Sequence, residues 1–403
     1  MSDMFAFHKM LINDSHRMRL YRMAIMQTVR NGDVVIDIGT GTGVLALFAC
    51  QAGAKRVYAI ERGDIIELAK ELARANGFNN RIIFIKNDFS EVSIKEKIDV
   101  IVSELISNFG IGQDILRILT EHKNFILKNK TKIIPTILEM YLAPVEEKNF
   151  YNGISFWDNK KYIQKYNIDF SPLQKIAVNN IGQKAFLPQD FLAPSRRIYY
   201  IDFQRNIKKQ GIIKNNVQFT VSRRGVLHGF CGFFRSCLAP GIWLSNKPPV
   251  ISSAWTNVFF PLEEPVIVNI KDNINVELIA FESRGKAYYR WKTSVSSIKT
   301  KEQLVIKKEF DQCDFSGEPM SLESLVGLSC DYCPNLSKKG HEIKSFLNLC
   351  DGKTPLRDIA NKVYEKHLRK IKNLTETDIE YLFNACYVYG LVEGITTGKY
   401  LNV

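Results

Sequence analysis

Four acidic residues stand just after short apolar runs in the first 104 residues, and the first of them opens a glycine turn. Asp37 begins Asp37-Ile38-Gly39-Thr40-Gly41-Thr42-Gly43, and Glu61 ends the run Arg56-Val57-Tyr58-Ala59-Ile60. Asp88, with Phe89 and Ser90, follows Arg81-Ile82-Ile83-Phe84-Ile85, and Glu104 follows Ile98-Asp99-Val100-Ile101-Val102-Ser103. Glycines at 39, 41 and 43 let the backbone come close to a ligand at the carboxyl end of a buried strand. An acid one strand later can accept hydrogen bonds from ribose hydroxyls, and an acid after the third strand is placed for an adenine amine. The Asp-x-Gly-x-Gly-x-Gly spacing differs from a dinucleotide fingerprint, and a buried carboxylate at 37 would repel a pyrophosphate. A cationic nucleoside carrying a sulfonium and an ammonium group fits better.

The elements that must position these residues follow from apolar periodicity. Residues 14–30 predict a helix with Met18, Tyr21, Ile25 and Val29 at helical spacing, capped by Asp14 or Ser15. Strand, glycine turn, helix over 44–49, strand and acid then follow in the order of a parallel α/β sheet. Short apolar or alternating runs at 197–203, 217–222, 266–270 and 276–281, separated by turn signals, predict β structure over 195–292.

A chain of 403 residues is too long for one ordinary core and predicts two or three domains. With 45% hydrophobic and 24% charged residues it reads as globular. The net charge of +13 is not gathered into one run, so nucleic acid is disfavoured as a partner. The N-terminus lacks a signal-peptide core and no stretch reaches the length of a membrane span, which predicts a cytoplasmic protein without a membrane partner. Of the 8 cysteines only Cys330 and Cys333 form a C-x-x-C pair, and with no second pair at ligand spacing no metal site is expected.

At this point the sequence resembles a known family, the protein arginine methyltransferases and their bacterial relatives. The stretch from His8 to Arg17, with Tyr21, looks like the family's lid helix over the cofactor. Ala52-Gly53-Ala54, Asn76-Gly77-Phe78 and the Glu61 strand end follow its pattern. Ser103-Glu104-Leu105-Ile106-Ser107-Asn108-Phe109-Gly110-Ile111-Gly112-Gln113 stands where the family has a double-glutamate loop, and Ser253-Ala254-Trp255 where it has a Thr-His-Trp loop. Leu142-Ala143-Pro144, His228-Gly229-Phe230 and Leu238-Ala239-Pro240-Gly241 extend the likeness to about three quarters of the chain.

The resemblance implies a fold and a chemistry. Residues 1–140 would form a Rossmann-like class I methyltransferase domain that binds S-adenosyl-L-methionine through Arg17, Asp37, Gly39, Gly41, Gly43, Glu61, Asp88, Phe89 and Ser90. Arg17 would hold the cofactor carboxylate. Residues 141–320 would form a β-barrel substrate domain, with a dimerisation arm inserted at about 147–190 that makes a homodimer. The implied function is N-methylation of a protein or peptide, with Glu104 and Gln113 as the catalytic pair and Asn108 and Trp255 binding substrate.

Two positions depart from the family. Gln113 stands where a second glutamate would grip a guanidinium, and Ala254 replaces the histidine of the Thr-His-Trp loop. Gln113 keeps an acceptor oxygen and adds a donor but lacks the charge-assisted bond of a carboxylate. Three readings follow: arginine methylation with a weaker clamp; methyl transfer to another nitrogen of a ribosomal peptide, an amine or lysine; or a cofactor-binding scaffold without turnover. Residues 335–403 read as helix, Asp351-Gly352 turn, helix, helix and Gly390-Leu391-Val392, a small winged-helix-like domain similar to those that dock leader peptides. Residues 338–403 hold 11 basic against 8 acidic side chains, a weak footprint for DNA.

Overall fold

The computed structural model describes residues 2–118 apart from 114 and 117, 131–205 apart from 159, 212–317 apart from 253, 284, 285 and 300–302, and scattered positions between 344 and 362. The winged-helix expectation for 335–403 therefore falls almost wholly outside the described residues, as do Cys330 and Cys333.

Helices α1 (Ser2–Asn13) and α2 (Ser15–Thr28) precede β1 (Val34–Ile38), α3 (Val44–Gln51), β2 (Arg56–Glu61), α4 (Ile66–Ala75), β3 (Ile82–Lys86), β4 (Val100–Ser103) and β5 (Lys132–Ile134). The five strands form a parallel sheet in the order β3-β2-β1-β4-β5. Every residue of β1 is buried, as expected of a central parallel strand with both faces covered. The predicted helix over 14–30 is observed as α2, and the residues before it form a helix of their own. Asp14 separates the two: its Oδ1 accepts from the Arg17 amide at 2.9 Å, so it caps α2 and ends α1.

The second unit begins with β6 (Ile137–Val145) and continues through β7 (Gly182–Lys184), β8 (Arg196–Asp202), β9 (Ile213–Thr220), β10 (Gly225–Ala239), β11 (Ile242–Ser245), β12 (Asn257–Val268), β13 (Asn273–Ser283), β14 (Lys286–Lys299) and β15 (Gln303–Cys313). One sheet runs β7-β12-β10-β6-β8 with β11 on β10, and the other runs β15-β14-β13-β9. The sheets face each other through aromatic residues: Phe260 lies edge-on to Trp291 at 5.5 Å, and Phe219 stacks on Phe230 at 6.3 Å. At the open edges Asn215 of β9 donates to the Ile198 carbonyl of β8, and Lys308 of β15 pairs with Glu264 of β12, giving a barrel-like enclosure. Between β6 and β8 the chain inserts three short helices, Lys148–Ile154, Lys160–Tyr166 and Ser171–Ala177.

The loop after β4 belongs to the first unit in sequence and to the second in packing. Phe109 is 1% exposed and lies 5.2 Å from the Phe260 ring and 5.8 Å from Tyr289. A Cβ at Gly232 of β10 would come within 2.8 Å of the Phe109 ring, so the glycine makes room for it. Phe109→Ala is expected to destabilise the protein by about 3–5 kcal/mol, read as a fall in the urea midpoint. A change below about 1 kcal/mol would mean that this contact does not join the two units.

Candidate active site

The glycine turn lies at the carboxyl end of β1, where an open α/β sheet binds its ligands. Gly39, Gly41 and Gly43 all have positive φ (70°, 54° and 81°), which other residues adopt only with strain. The Asp37 side chain lies behind the turn. Its Oδ2 accepts from Thr40 Oγ1 at 2.5 Å and from the Ala46 amide in the first turn of α3 at 3.0 Å, while its buried Oδ1 has no partner. Burial pushes the Asp37 carboxyl up to about 7, against those two hydrogen bonds. Glu61, at the end of β2, accepts from the Gly41 amide at 3.1 Å and the Gly63 amide at 2.8 Å, so the second acid also braces the turn.

A cavity of about 460 Å³ opens in front of the turn, within the range of small-molecule sites. Gly39, Gly41, Glu61, Asp88 and Phe89 line one end; Arg17, Glu104, Asn108, Gln113 and Trp255 line it too. Phe7, His8, Leu11 and Ile12 of α1 form part of the wall. The His8 ring lies where a Cβ on Gly41 would approach it to 2.9 Å, so α1 closes directly onto the turn. Burial holds the His8 imidazole below its ordinary value, opposed by Glu61. Gly43 starts α3, where a Cβ would lie 3.0 Å from that of Ala69. Ser90 is exposed and caps locally, its hydroxyl donating to Asp88 Oδ1 at 2.6 Å. Asp37, Gly43 and Ser90 are thus not in the cavity wall, and two of them shape it from behind.

At the other end Arg17 Nη2 donates to Glu104 Oε2 at 2.7 Å, with the side chains 5% and 10% exposed. Burial lifts Glu104 above its usual range, against the pull of Arg17. For Arg17 burial works against the charge, yet Glu104 keeps the guanidinium above its ordinary value. Arg17 Nη1 reaches the Leu11 carbonyl at 3.2 Å, and Nε is buried without a partner. The Trp255 indole donates to the Ile106 carbonyl at 2.8 Å, Asn246 donates to the Asn108 carbonyl at 2.7 Å, and Asn108 Oδ1 accepts from the Thr256 amide at 3.0 Å. Asp14, which the sequence marked only as a cap, also accepts from Ser252 Oγ and from the Ala254 amide at 2.9 Å. It fastens the α1–α2 junction to the loop that carries Trp255. Gln113 is exposed at the rim.

These groups suit a zwitterionic, cationic nucleoside. The unpartnered Arg17 Nε can meet an anionic end, and Glu61 can turn toward a diol. Among the described residues no group of three His, Cys, Asp or Glu could hold a metal ion, and no helix is long and apolar enough to cross a membrane.

A glycine turn braced by acids on a parallel sheet, set beside an antiparallel barrel, is the architecture of a class I methyltransferase. The family described as "PRMT5 oligomerisation domain" matches residues 138–379, and "Ribosomal protein L11 methyltransferase (PrmA)" matches residues 19–160. "Probable protein arginine N-methyltransferase 6" of Arabidopsis thaliana is 32% identical over 235 residues, 56% of this chain and 53% of the relative, so the match spans about half of that protein. "Protein arginine N-methyltransferase 6" of Xenopus tropicalis is 28% identical over 274 residues, 65% of this chain and 79% of the relative. Two solved structures share the fold: Arabidopsis thaliana protein arginine methyltransferase 10, with a TM-score of 0.64 at 21% identity over 76% of this chain and 97% of that one, and the Trypanosoma brucei PRMT1 enzyme-prozyme heterotetrameric complex with AdoHcy, with 0.67 at 19% over the same shares. The chain belongs to the protein arginine N-methyltransferase family.

Because the Asp37 carboxyl is raised, the folded chain holds a proton there that the unfolded chain has released above about pH 4. Stability should therefore fall as pH rises from about 4 through 7. Asp37→Asn keeps acceptors for Thr40 and Ala46 and removes the titration. Urea unfolding at pH 5 and pH 7.5 should show the larger loss in the wild type; equal losses would place the Asp37 carboxyl in the ordinary range.

Proposed function

We propose that this protein is an S-adenosyl-L-methionine-dependent N-methyltransferase acting on a protein or peptide, with arginine as the acceptor. One observation carries the reading: a single cavity joins the acid-braced glycine turn to a buried carboxylate, Glu104, that Arg17 holds at 2.7 Å. The cofactor supplies an electrophilic methyl group on its sulfonium. Glu61 would receive the ribose hydroxyls, Asp88 and Phe89 would lie beside the adenine, and Arg17 would meet the cofactor carboxylate while its pull on Glu104 opposes the effect of burial. Asp37 and the glycines hold the turn open, with Ser90 fixing Asp88.

Methyl transfer is an in-line displacement, so positioning supplies most of the rate. Glu104 orients the acceptor nitrogen and stabilises the positive charge that develops there. Gln113 provides a second acceptor oxygen at the rim, and Asn108 and Trp255 wall the acceptor channel. With Glu104 already paired to Arg17 and Gln113 neutral, a guanidinium meets a weaker clamp than two carboxylates would make. That same observation favours a second reading, transfer to an amine or lysine of a peptide, where one carboxylate suffices.

The division of labour follows: residues 1–140 hold cofactor, 141–320 present the acceptor, and 335–403 dock the peptide or protein. The segment inserted at 147–190 exposes Tyr166, Ile168, Leu173 and Leu187, apolar side chains suited to contact with a second copy of the chain in a cytoplasmic homodimer.

The purified protein should transfer label from methyl-labelled cofactor to arginine in lysate proteins, read by mass spectrometry. Label on lysine or an α-amine would replace the acceptor, and bound cofactor without any label would leave only a binding protein. Glu104→Gln should lower transfer at least about a hundredfold with cofactor still bound. Gln113→Glu should raise transfer to arginine about tenfold, the difference between a neutral and a charge-assisted bond.

A further inference from the structure

The two residues proposed to grip the acceptor are held by different means. Glu104 directly follows β4 and is locked by Arg17. Gln113 lies nine positions on, past a tight double turn in which the Ser107 amide donates to the Gly110 carbonyl at 3.2 Å and the Gly110 amide returns the bond at 2.9 Å. A carboxylate from the barrel reaches the end of that turn: Glu282, near the end of β13, accepts from the Gly112 amide through Oε1 at 2.5 Å and from the Leu116 amide through Oε2 at 3.0 Å. One carboxylate thus brackets Gln113 on both sides in the sequence.

The chemistry suits that task. Residues 115 and 116 are helical, so the Leu116 amide belongs to the start of a helix, where amides lack intrahelical acceptors and a negative charge is favoured. Gly112 has φ 130°, and a Cβ there would lie 3.2 Å from Ser107 Oγ and 3.6 Å from Ala287 Cβ. Ala287 is the cross-strand partner of Glu282 in the β13–β14 hairpin. The end of this hairpin and the loop are therefore in direct contact, with both carboxylate oxygens spent on loop amides.

We infer that Glu282 is the positioning residue of the acceptor site: through the Gly112 and Leu116 amides it sets where Gln113 stands relative to Glu104, and so makes the barrel a determinant of acceptor fit. The inference rests on the proposed role of Gln113, and the test separates the two. Hydrogen exchange on cofactor-loaded protein should show the Gly112 and Leu116 amides opening at least about tenfold faster in Glu282→Ala than in wild type, with Glu282→Gln, which keeps one acceptor oxygen, in between. The rate of label transfer to a lysate peptide pool at saturating cofactor should fall about tenfold in Glu282→Ala while the cofactor Kd moves less than about twofold. In a Gln113→Ala background the same substitution should subtract nothing further from the rate, because Glu282 acts through Gln113. Unchanged exchange at these amides, a parallel loss of cofactor affinity, or additive losses in the double variant would each overturn the inference. Absence of transfer by the wild type would remove the proposed function instead, and the exchange rates would still decide whether Glu282 holds the loop.

Discussion

The Arg17–Glu104 ion pair sets the terms for the rest of the site. Removing one carboxylate from water is expensive, and a buried pair is tolerable only when both charges are satisfied by geometry. Here the pair joins α2 to the end of β4 at 2.7 Å, and it is sheltered by α1, whose Leu11 carbonyl takes a second guanidinium hydrogen. Tyr21 lies one turn of helix on, its ring 5.6 Å from the guanidinium. Any movement of α1 or α2 must therefore be felt at Glu104. On the proposed reading, cofactor binding under α1 and acceptor binding at Glu104 would be coupled by that arrangement without a long-range pathway.

A second constraint comes from the loop after β4. It carries Glu104, Asn108 and Gln113, and it follows the sheet that braces the glycine turn. Yet its backbone is bound by Trp255, Asn246 and Glu282, its Asn108 side chain accepts from the Thr256 amide, and its Phe109 is seated in the barrel core. The proposed acceptor site is in this sense built by the first unit and held by the second. Asp14 adds a third tie, from the α1–α2 junction to the Ala254 amide. In this chain that carboxylate meets a hydroxyl and a backbone amide beside the position where the resembling family has a histidine, so the junction is fastened without an imidazole.

Much of the first unit was legible in the residues. Strands β1 and β2 coincide with the short apolar runs that carry Asp37 and end in Glu61, and the three glycines of the turn stand at positive φ. Short-range order of this kind is written locally, because backbone sterics and side-chain periodicity act over a few residues. The long barrel strands were seen only in fragments. Most of β10 is buried, so it lacks the alternation that marks a half-buried strand.

Sequence alone pointed to the type of ligand and marked Glu104: a glycine turn between two acids suits a cationic nucleoside, and the carboxylate after the fourth strand lines the same cavity. It also marked Gln113 and Ala254 as departures, since identity at a position needs no structure. What each acid does was decided by tertiary structure. Asp37, one of the acids assigned to the cofactor, turned out to brace the loop from behind, because the α3 amide it accepts from comes near only once the helix packs. Glu282 is separated from Gly112 by 170 residues and could not be paired with it from any local pattern. Hydrogen bonds between distant segments depend on where whole sheets pack, and that information is spread over the core rather than carried by the residues that meet.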